Sequence, residues 1–138
     1  MPTRSQLEVL HYELEKELAT ALAKAGLGEL GVDIYYGRFP AETTVKGILV
    51  RCTPGPRGPL SMPGVLIRVR GKNMDEVKVP MAKITELFDH KRPVLVTINA
   101  YLRKVESEEQ VRNEINRVDI PMQFQTWCSP KAGVALTA

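Results

Sequence analysis

The chain has 138 residues, of which 43% are hydrophobic and 25% are charged, and its formal net charge is +3. This composition is typical of a single globular domain with a substantial core. The charge is too small to indicate a nucleic-acid-binding protein by itself, because such proteins concentrate a basic excess on one face. The charged run over residues 103–117 mixes both signs, which is typical of a solvated surface.

Cysteine usage and the amino terminus indicate the compartment. Cys52 and Cys128 are far apart in the sequence, and we expect two buried free thiols, because small secreted folds carry denser cysteine frameworks. Neither cysteine has the spacing to histidine that zinc requires. No signal peptide is evident, and no apolar run approaches the length of a membrane span. We therefore expect a reducing, aqueous compartment and no membrane partner.

The first predicted element is a helix with one apolar face. Thr3 or Ser5 can cap its start, and Gly26 stands where a C-terminal glycine belongs. Its apolar residues recur at three- and four-residue steps: Leu7, Leu10, His11, Leu14, Leu18, Ala21, Leu22 and Ala25. The helix should pack this face on a core, with His11 half-buried at its border.

Three strands are predicted next, with the sequences VDIYY, KGILVRCT and GVLIRVRG. Between the second and third lies TPGPRGPLSMPG, residues 53–64, which we call the proline-rich arm; it holds four prolines and three glycines. In the third strand, valine and isoleucine residues alternate with Arg68, Arg70 and Lys72. We call these three cations the basic face and expect it to meet water, a partner or a polyanion.

A second helix is predicted from Asn73, with Glu76 completing a capping pair. Its apolar stripe comprises Met74, Val77, Met81, Ile84, Leu87 and Phe88. Pro80 conflicts with this pattern, because an internal proline removes a hydrogen bond at a cost of about 3 kcal/mol. We expect either a kink or a helix start at Pro80.

Two long strands are predicted to close the chain. The segment PVLVTINAYLRKV places Val94, Val96, Ile98, Ala100 and Leu102 on one face. In INRVDIPMQFQTWC, apolar residues alternate with Arg117, Asp119, Gln123, Gln125 and Trp127. Pro121 predicts an edge position or a bulge, since it cannot donate to a ladder. Gln123, Gln125 and Trp127 are candidate contacts on the outer face, and the tail, about residues 129–138, is predicted to be weakly structured.

These elements predict one α+β domain spanning residues 1–138. Its two layers are a mainly antiparallel sheet of about five strands and two helices packed on one face of that sheet.

No group of residues in the sequence convincingly matches a catalytic site. Glu76-Val77-Lys78, with Asp33 or Glu42 upstream, matches part of a metal-dependent nuclease motif, but Glu76 is better explained as a helix cap. None of the serines lies in a nucleophile elbow, and the proline-rich arm lacks a P-loop lysine. We expect no enzymatic activity, no metal and no cofactor.

The basic face could neutralise phosphates of a nucleic acid. Aromatic residues for stacking are scarce, however, with three Phe, four Tyr and one Trp in the chain. A solvated or inter-subunit role is therefore favoured for Arg68, Arg70 and Lys72.

The order of elements carries a resemblance to a known family. A leucine-rich helix and a DIYYG strand precede a strand that runs through Arg70-Gly71 into a helix opening with Asn73-Met74-Asp75-Glu76. The long pair YLRKV and INRVDIPMQFQTW follows. This pattern resembles the tail terminator, or tail completion, proteins of tailed bacteriophages, also catalogued as minor capsid or minor tail proteins. The resemblance covers residues 5 to 128.

The resemblance implies a virion subunit, assembled in the host cytoplasm, that forms a homohexameric ring. Such a ring caps the tail tube, ends its polymerisation and docks to the head–tail connector or stopper, with DNA passing non-specifically through its centre. Another neck protein, such as an adaptor or stopper, is the nearest alternative. A small nucleic-acid-binding module that uses the basic face is a further alternative, followed by a metal-dependent nuclease.

The proline-rich arm suits a ring, because ring subunits need heterologous contacts and prolines lower the entropy lost on docking. We expect its interface residues to be Pro54, Pro56, Arg57, Pro59, Leu60 and Met62.

Overall fold

The computed structural model describes residues 4–40, 46–53, 64–105, 112–114 and 117–131. The predicted interface residues of the proline-rich arm and the chain after residue 131 lie outside these ranges. Within them the chain forms two helices, α1 (Arg4–Lys24) and α2 (Met74–Phe88), and six strands. The strands are β1 (Ile34–Tyr36), β2 (Gly47–Thr53), β3 (Gly64–Gly71), β4 (Ile98–Val105), β5 (Arg112–Glu114) and β6 (Arg117–Pro130).

Five strands of the described sheet lie side by side in the order β1-β2-β3-β6-β4, and the short β5 also pairs with β6. β1 runs parallel to β2, whereas the other described pairings are antiparallel. The predicted α+β fold, with two helices and a mainly antiparallel sheet, is therefore confirmed.

Both helices contribute to one hydrophobic cluster with the sheet. The fully buried leucines of α1 are Leu10, Leu14, Leu18 and Leu22, as their helical spacing predicted. From α2, Val77, Ile84 and Phe88 join the same cluster, and the Phe88 ring meets that of Phe124 edge-to-face at 6.2 Å. Met74 was predicted to be buried, but it is 42% exposed. Packing of the two helices on a common face stays a prediction.

The start of α2 is fixed by reciprocal hydrogen bonds. The Asn73 side-chain oxygen accepts from the Glu76 backbone N–H at 3.0 Å, and the Glu76 carboxylate accepts from the Lys72 backbone N–H at 2.6 Å. These bonds satisfy donors that a helix start leaves open. The predicted cap is confirmed, and the alternative start at Pro80 is wrong because the helix begins at Met74 and passes through the proline.

β6, the strand that contains Pro121, lies inside the sheet, so its predicted edge position is wrong. Pro121 stands opposite Arg68 in the unbroken register of β6 with β3, and it is buried. Along the other side of β6, Pro121 falls between the part paired with β5, Arg117–Asp119, and the part paired with β4, Gln123–Pro130. The described ladders thus leave a gap on that side, where a missing N–H breaks no ladder bond.

The strand predicted from Pro93 begins later than expected. β4 starts at Ile98, and the two valines predicted to share a face with Ile98 are exposed, Val94 to 95% and Val96 to 71%. Leu95 between them is buried instead. The alternation predicted for this segment therefore holds only from Ile98 onward.

A carboxylate of α1 explains the late start. Glu17 is only 9% exposed, and its Oε1 accepts from the backbone N–H groups of Val96 at 2.5 Å and Thr97 at 2.9 Å. Its Oε2 accepts from the Thr97 hydroxyl at 3.0 Å. The Val96 and Thr97 donors therefore bond to a side chain of α1, and this attaches the segment before β4 to that helix.

Replacing Glu17 with alanine should lower the free energy of unfolding by about 2 kcal/mol, because two backbone donors lose a charged acceptor. Urea denaturation of the purified chain measures this change. Lys16→Ala is the matched control, because Lys16 is the exposed neighbour on the same helix and should change stability by less than about 0.5 kcal/mol. Equal losses in the two variants would contradict an anchoring role for Glu17.

Candidate functional site

Two arginines of the predicted basic face share one buried acid. Arg70 Nε donates to Asp119 Oδ2 at 2.9 Å, and Arg68 Nη1 donates to Asp119 Oδ1 at 3.2 Å. Asp119 is 2% exposed, and the side chains of Arg68 and Arg70 are 19% and 11% exposed. We call this cluster the Arg–Asp–Arg triad.

The triad follows from the sheet register. Arg70 stands directly opposite Asp119 across the β3–β6 ladder, and Arg68 is two positions along the same face. The Arg70 guanidinium also lies 4.0 Å from the centre of the Phe39 ring. The arginines are thus held by charge, hydrogen bonds and packing.

Lys72 does not continue this row of cations. β3 ends at Gly71, and Lys72 is an exposed residue of the turn that leads into α2. Because Asp119 offsets one of the two arginine charges, the face carries less positive charge than the sequence pattern suggested.

The predicted outer-face residues of β6 lie as the alternation indicated. Gln123 and Gln125 are half-buried, and Trp127 is 38% exposed. Trp127 is the register partner of Tyr101 on β4, and the two rings stand 5.7 Å apart at an interplanar angle of 47°.

A surface groove surrounds this aromatic pair. The Arg92 guanidinium lies 5.6 Å from the centre of the Tyr101 ring, and His90 Nδ1 is 3.1 Å from the Tyr101 hydroxyl. The groove measures about 450 Å³, and we call it the aromatic groove. Its lining residues are Arg92, Asn99, Ala100, Tyr101, Trp127, Cys128 and Ser129.

The acids of the nuclease alternative have local structural partners. Glu76 caps α2, and Asp33 Oδ2 accepts from the Glu29 backbone N–H at 3.0 Å. Glu42 lies outside the described residues. Over the ranges that the structure describes, no group of three His, Cys, Asp or Glu side chains could hold a metal ion.

Neither cysteine forms a disulfide, and both lie within strands, as predicted. Burial raises the pKa of the Cys128 thiol to about 11. The pKa of the Cys52 thiol is raised as well, chiefly by burial and further by the nearby Glu15 carboxylate. Cys128 is buried, whereas Cys52 is only partly so.

The sequence did not predict which residues contact the candidate site residues. Asp119 was recognised only as a polar position of the last strand, and Arg92 and Tyr101 were not considered as site residues. The contacts join segments far apart in the chain, such as Arg70 and Asp119, so they depend on strand order and register. The alternation of each strand predicted which face these residues occupy, but not which residues meet.

Comparison with known proteins gives no match to a family model and no match among curated proteins. Neither helix of the described residues combines the length and apolar character that crossing a membrane requires.

Replacing Asp119 with alanine should destabilise the fold by about 3 kcal/mol, because two largely buried arginines would lose their shared counter-ion. Glu86→Ala removes an exposed acid of α2 and serves as the control, with an expected change below about 0.5 kcal/mol. Chemical denaturation of both variants measures the difference. A loss below about 1 kcal/mol for Asp119→Ala would show that the triad contributes little to stability.

Both thiols should react slowly with iodoacetamide in the native protein at neutral pH. Thiolate is the reactive form, and a raised pKa leaves little of it at that pH. Mass spectrometry of timed samples measures the modification of each cysteine, with the chain unfolded in guanidinium as the control. Native rates equal to those of the unfolded chain would contradict this protection.

Proposed function

We propose that this protein is a tail terminator subunit of a tailed bacteriophage. Six copies form a ring that caps the tail tube, ends its polymerisation and docks to the head–tail connector. In this role the protein is a structural component of the virion, and DNA passes through the ring.

The element order is the observation that carries this proposal. A leucine-rich helix, a short strand, two longer strands, a helix and a final pair of long strands, with the short β5 between them, follow one another as in the family that the sequence resembles. The junction of β3 with α2 supports the same comparison, since a Cβ on Gly71 would lie 2.9 Å from Glu76 Cβ and 3.0 Å from Val77 Cγ1. Glycine therefore allows the strand to pass tightly into the helix.

Exposed apolar side chains next to α1 support a subunit contact. Val94 and Val96 project from the segment that Glu17 anchors, beside a groove of about 290 Å³ lined also by Lys16, Thr20 and other residues of α1. We call these two valines the valine ridge. A heterologous ring contact needs such a patch to meet a different surface of the neighbouring subunit.

The position of the proline-rich arm also fits an assembly role. Thr53 and Gly64 are register partners across β2 and β3, so the two strand ends that bound the arm lie side by side. Replacing the residues between them therefore need not disturb the ladder. This makes the arm suitable for a direct test of assembly.

The alternatives have less support. A nucleic-acid-binding module that uses the basic face would need exposed cations, but Arg68 and Arg70 share Asp119 and are largely buried. An adaptor or stopper ring would use the same assembly logic, and binding to tube protein distinguishes a terminator from it.

Size-exclusion chromatography with light scattering should detect a species near 92.4 kDa, six times the 15.4 kDa chain. The measurement is made over a range of protein concentrations, alone and with purified tube protein. A hexamer, formed alone or on the tube, is the expected result. A monomer under every condition would contradict the proposal.

The matched variant replaces residues 54–63 with Asn-Gly, a two-residue turn that joins paired antiparallel strands. We expect a folded monomer, with a circular dichroism spectrum like that of the full chain. A second variant keeps the arm and carries Lys83→Ala, an exposed change on α2 that should leave the hexamer intact. Normal rings without the arm would remove it from the interface.

A further inference from the structure

We propose that the aromatic groove binds single-stranded nucleic acid. One base would stack on the Tyr101–Trp127 pair, and the adjoining phosphate would meet Arg92 and Arg103. This proposal rests on the groove itself and does not depend on ring formation.

The aromatic pair offers a stacking surface on the sheet. Tyr101 and Trp127 are register partners on neighbouring strands, so their side chains share one face. The indole is 38% exposed, and the hydrogen-bond contact between His90 Nδ1 and the Tyr101 hydroxyl restrains the phenol ring. Exposed aromatic rings on adjacent strands are a common platform for unpaired bases.

The positive charge at the groove is complementary to a polyanion such as a nucleic acid. The Arg92 guanidinium lies over the Tyr101 ring at 5.6 Å, and the exposed Arg103 is two positions from Tyr101 on the same face of β4. None of the described residues that line the groove is acidic. In the Arg–Asp–Arg triad, by contrast, a buried acid accepts from both arginines.

Polar side chains adjoin the stacking surface. Asn99 and Ser129 are exposed register partners, two positions from Tyr101 and Trp127 and on the same face. An amide and a hydroxyl can both donate to and accept from the edge of a base. The groove volume, about 450 Å³, lies in the range of small-ligand sites, which suits one nucleotide.

The stacking geometry selects a single strand. In a duplex each base stacks on its neighbours, so an aromatic side chain would reach a base face only after those bases were unstacked. An unpaired strand presents each base face without that cost. The site therefore differs from a channel that merely surrounds duplex DNA.

Trp127 is the single tryptophan of the chain, so its fluorescence reports directly on the groove. Titration with a single-stranded oligothymidylate should quench the emission to saturation, and added salt should weaken binding. The same strand in a duplex should quench much less. No saturable quenching by the single strand would overturn the proposal, and so would equal quenching by the duplex.

Variants locate the site when binding is followed by the anisotropy of a labelled oligothymidylate. Trp127→Leu should weaken binding about tenfold by removing a stacked contact. Its control is Tyr12→Leu, which changes an aromatic residue of α1 that is 52% exposed and should have little effect. Equal weakening by both variants would overturn the assignment to this groove.

Arg92→Ala tests the phosphate contact, with Arg38→Ala as a control of equal charge at another exposed position. We expect weaker binding and a shallower salt dependence for Arg92→Ala alone. Urea denaturation confirms that each variant is folded. Binding of a synthetic peptide of residues 53–64, without binding of oligothymidylate, would overturn the proposal in favour of a proline-rich ligand.

Discussion

The buried carboxylate of Asp119 holds together the two strands on which the rest of the sheet depends. β3 and β6 are the pair through which β2 and β1 on one side are joined to β4 and β5 on the other. A slip of one residue would move Asp119 away from Arg68 and Arg70 and would also turn the buried stripe of β3 outward. Separating these arginines from the carboxylate is costly, because they are largely buried. The triad therefore reinforces the register that hydrophobic burial already favours.

Glu17 is a second buried carboxylate that joins two parts of the fold, in this case the helix α1 and the segment before β4. Its carboxylate accepts three hydrogen bonds from Val96 and Thr97, so α1 and the entry to β4 are fixed relative to each other. This contact also determines which side chains of the segment before β4 are exposed. With the backbone donors directed to α1, Leu95 turns into the core, and the valine ridge is left in water. A single carboxylate thus sets both the start of a strand and an exposed apolar patch.

Much of the fold could be predicted from the sequence, because local patterns specify it. The leucine spacing of α1, the alternation of β3 and the Asn73–Glu76 pair are properties of short segments, and the structure confirms each of them. Errors arose where a distant residue overrides the local pattern. The entry to β4 was assigned to a strand because Glu17 was not recognised as its partner. Pro121 was placed at an edge because the gap between β4 and β5 depends on strand order. The candidate site was predicted least well, since the triad and the aromatic groove both join residues from separate strands.

The two exposed features that suggest function lie close together in the chain. The valine ridge immediately precedes β4, and Tyr101 lies on β4, the last strand in the sheet order. Tyr101 is five positions after Val96, so even a fully extended chain places them within about 18 Å. A subunit contact on the ridge would therefore bring the neighbouring molecule near the aromatic groove. Under the two proposals, assembly and nucleic-acid binding therefore use adjoining surfaces, and Glu17 ties one of them, the valine ridge, to α1.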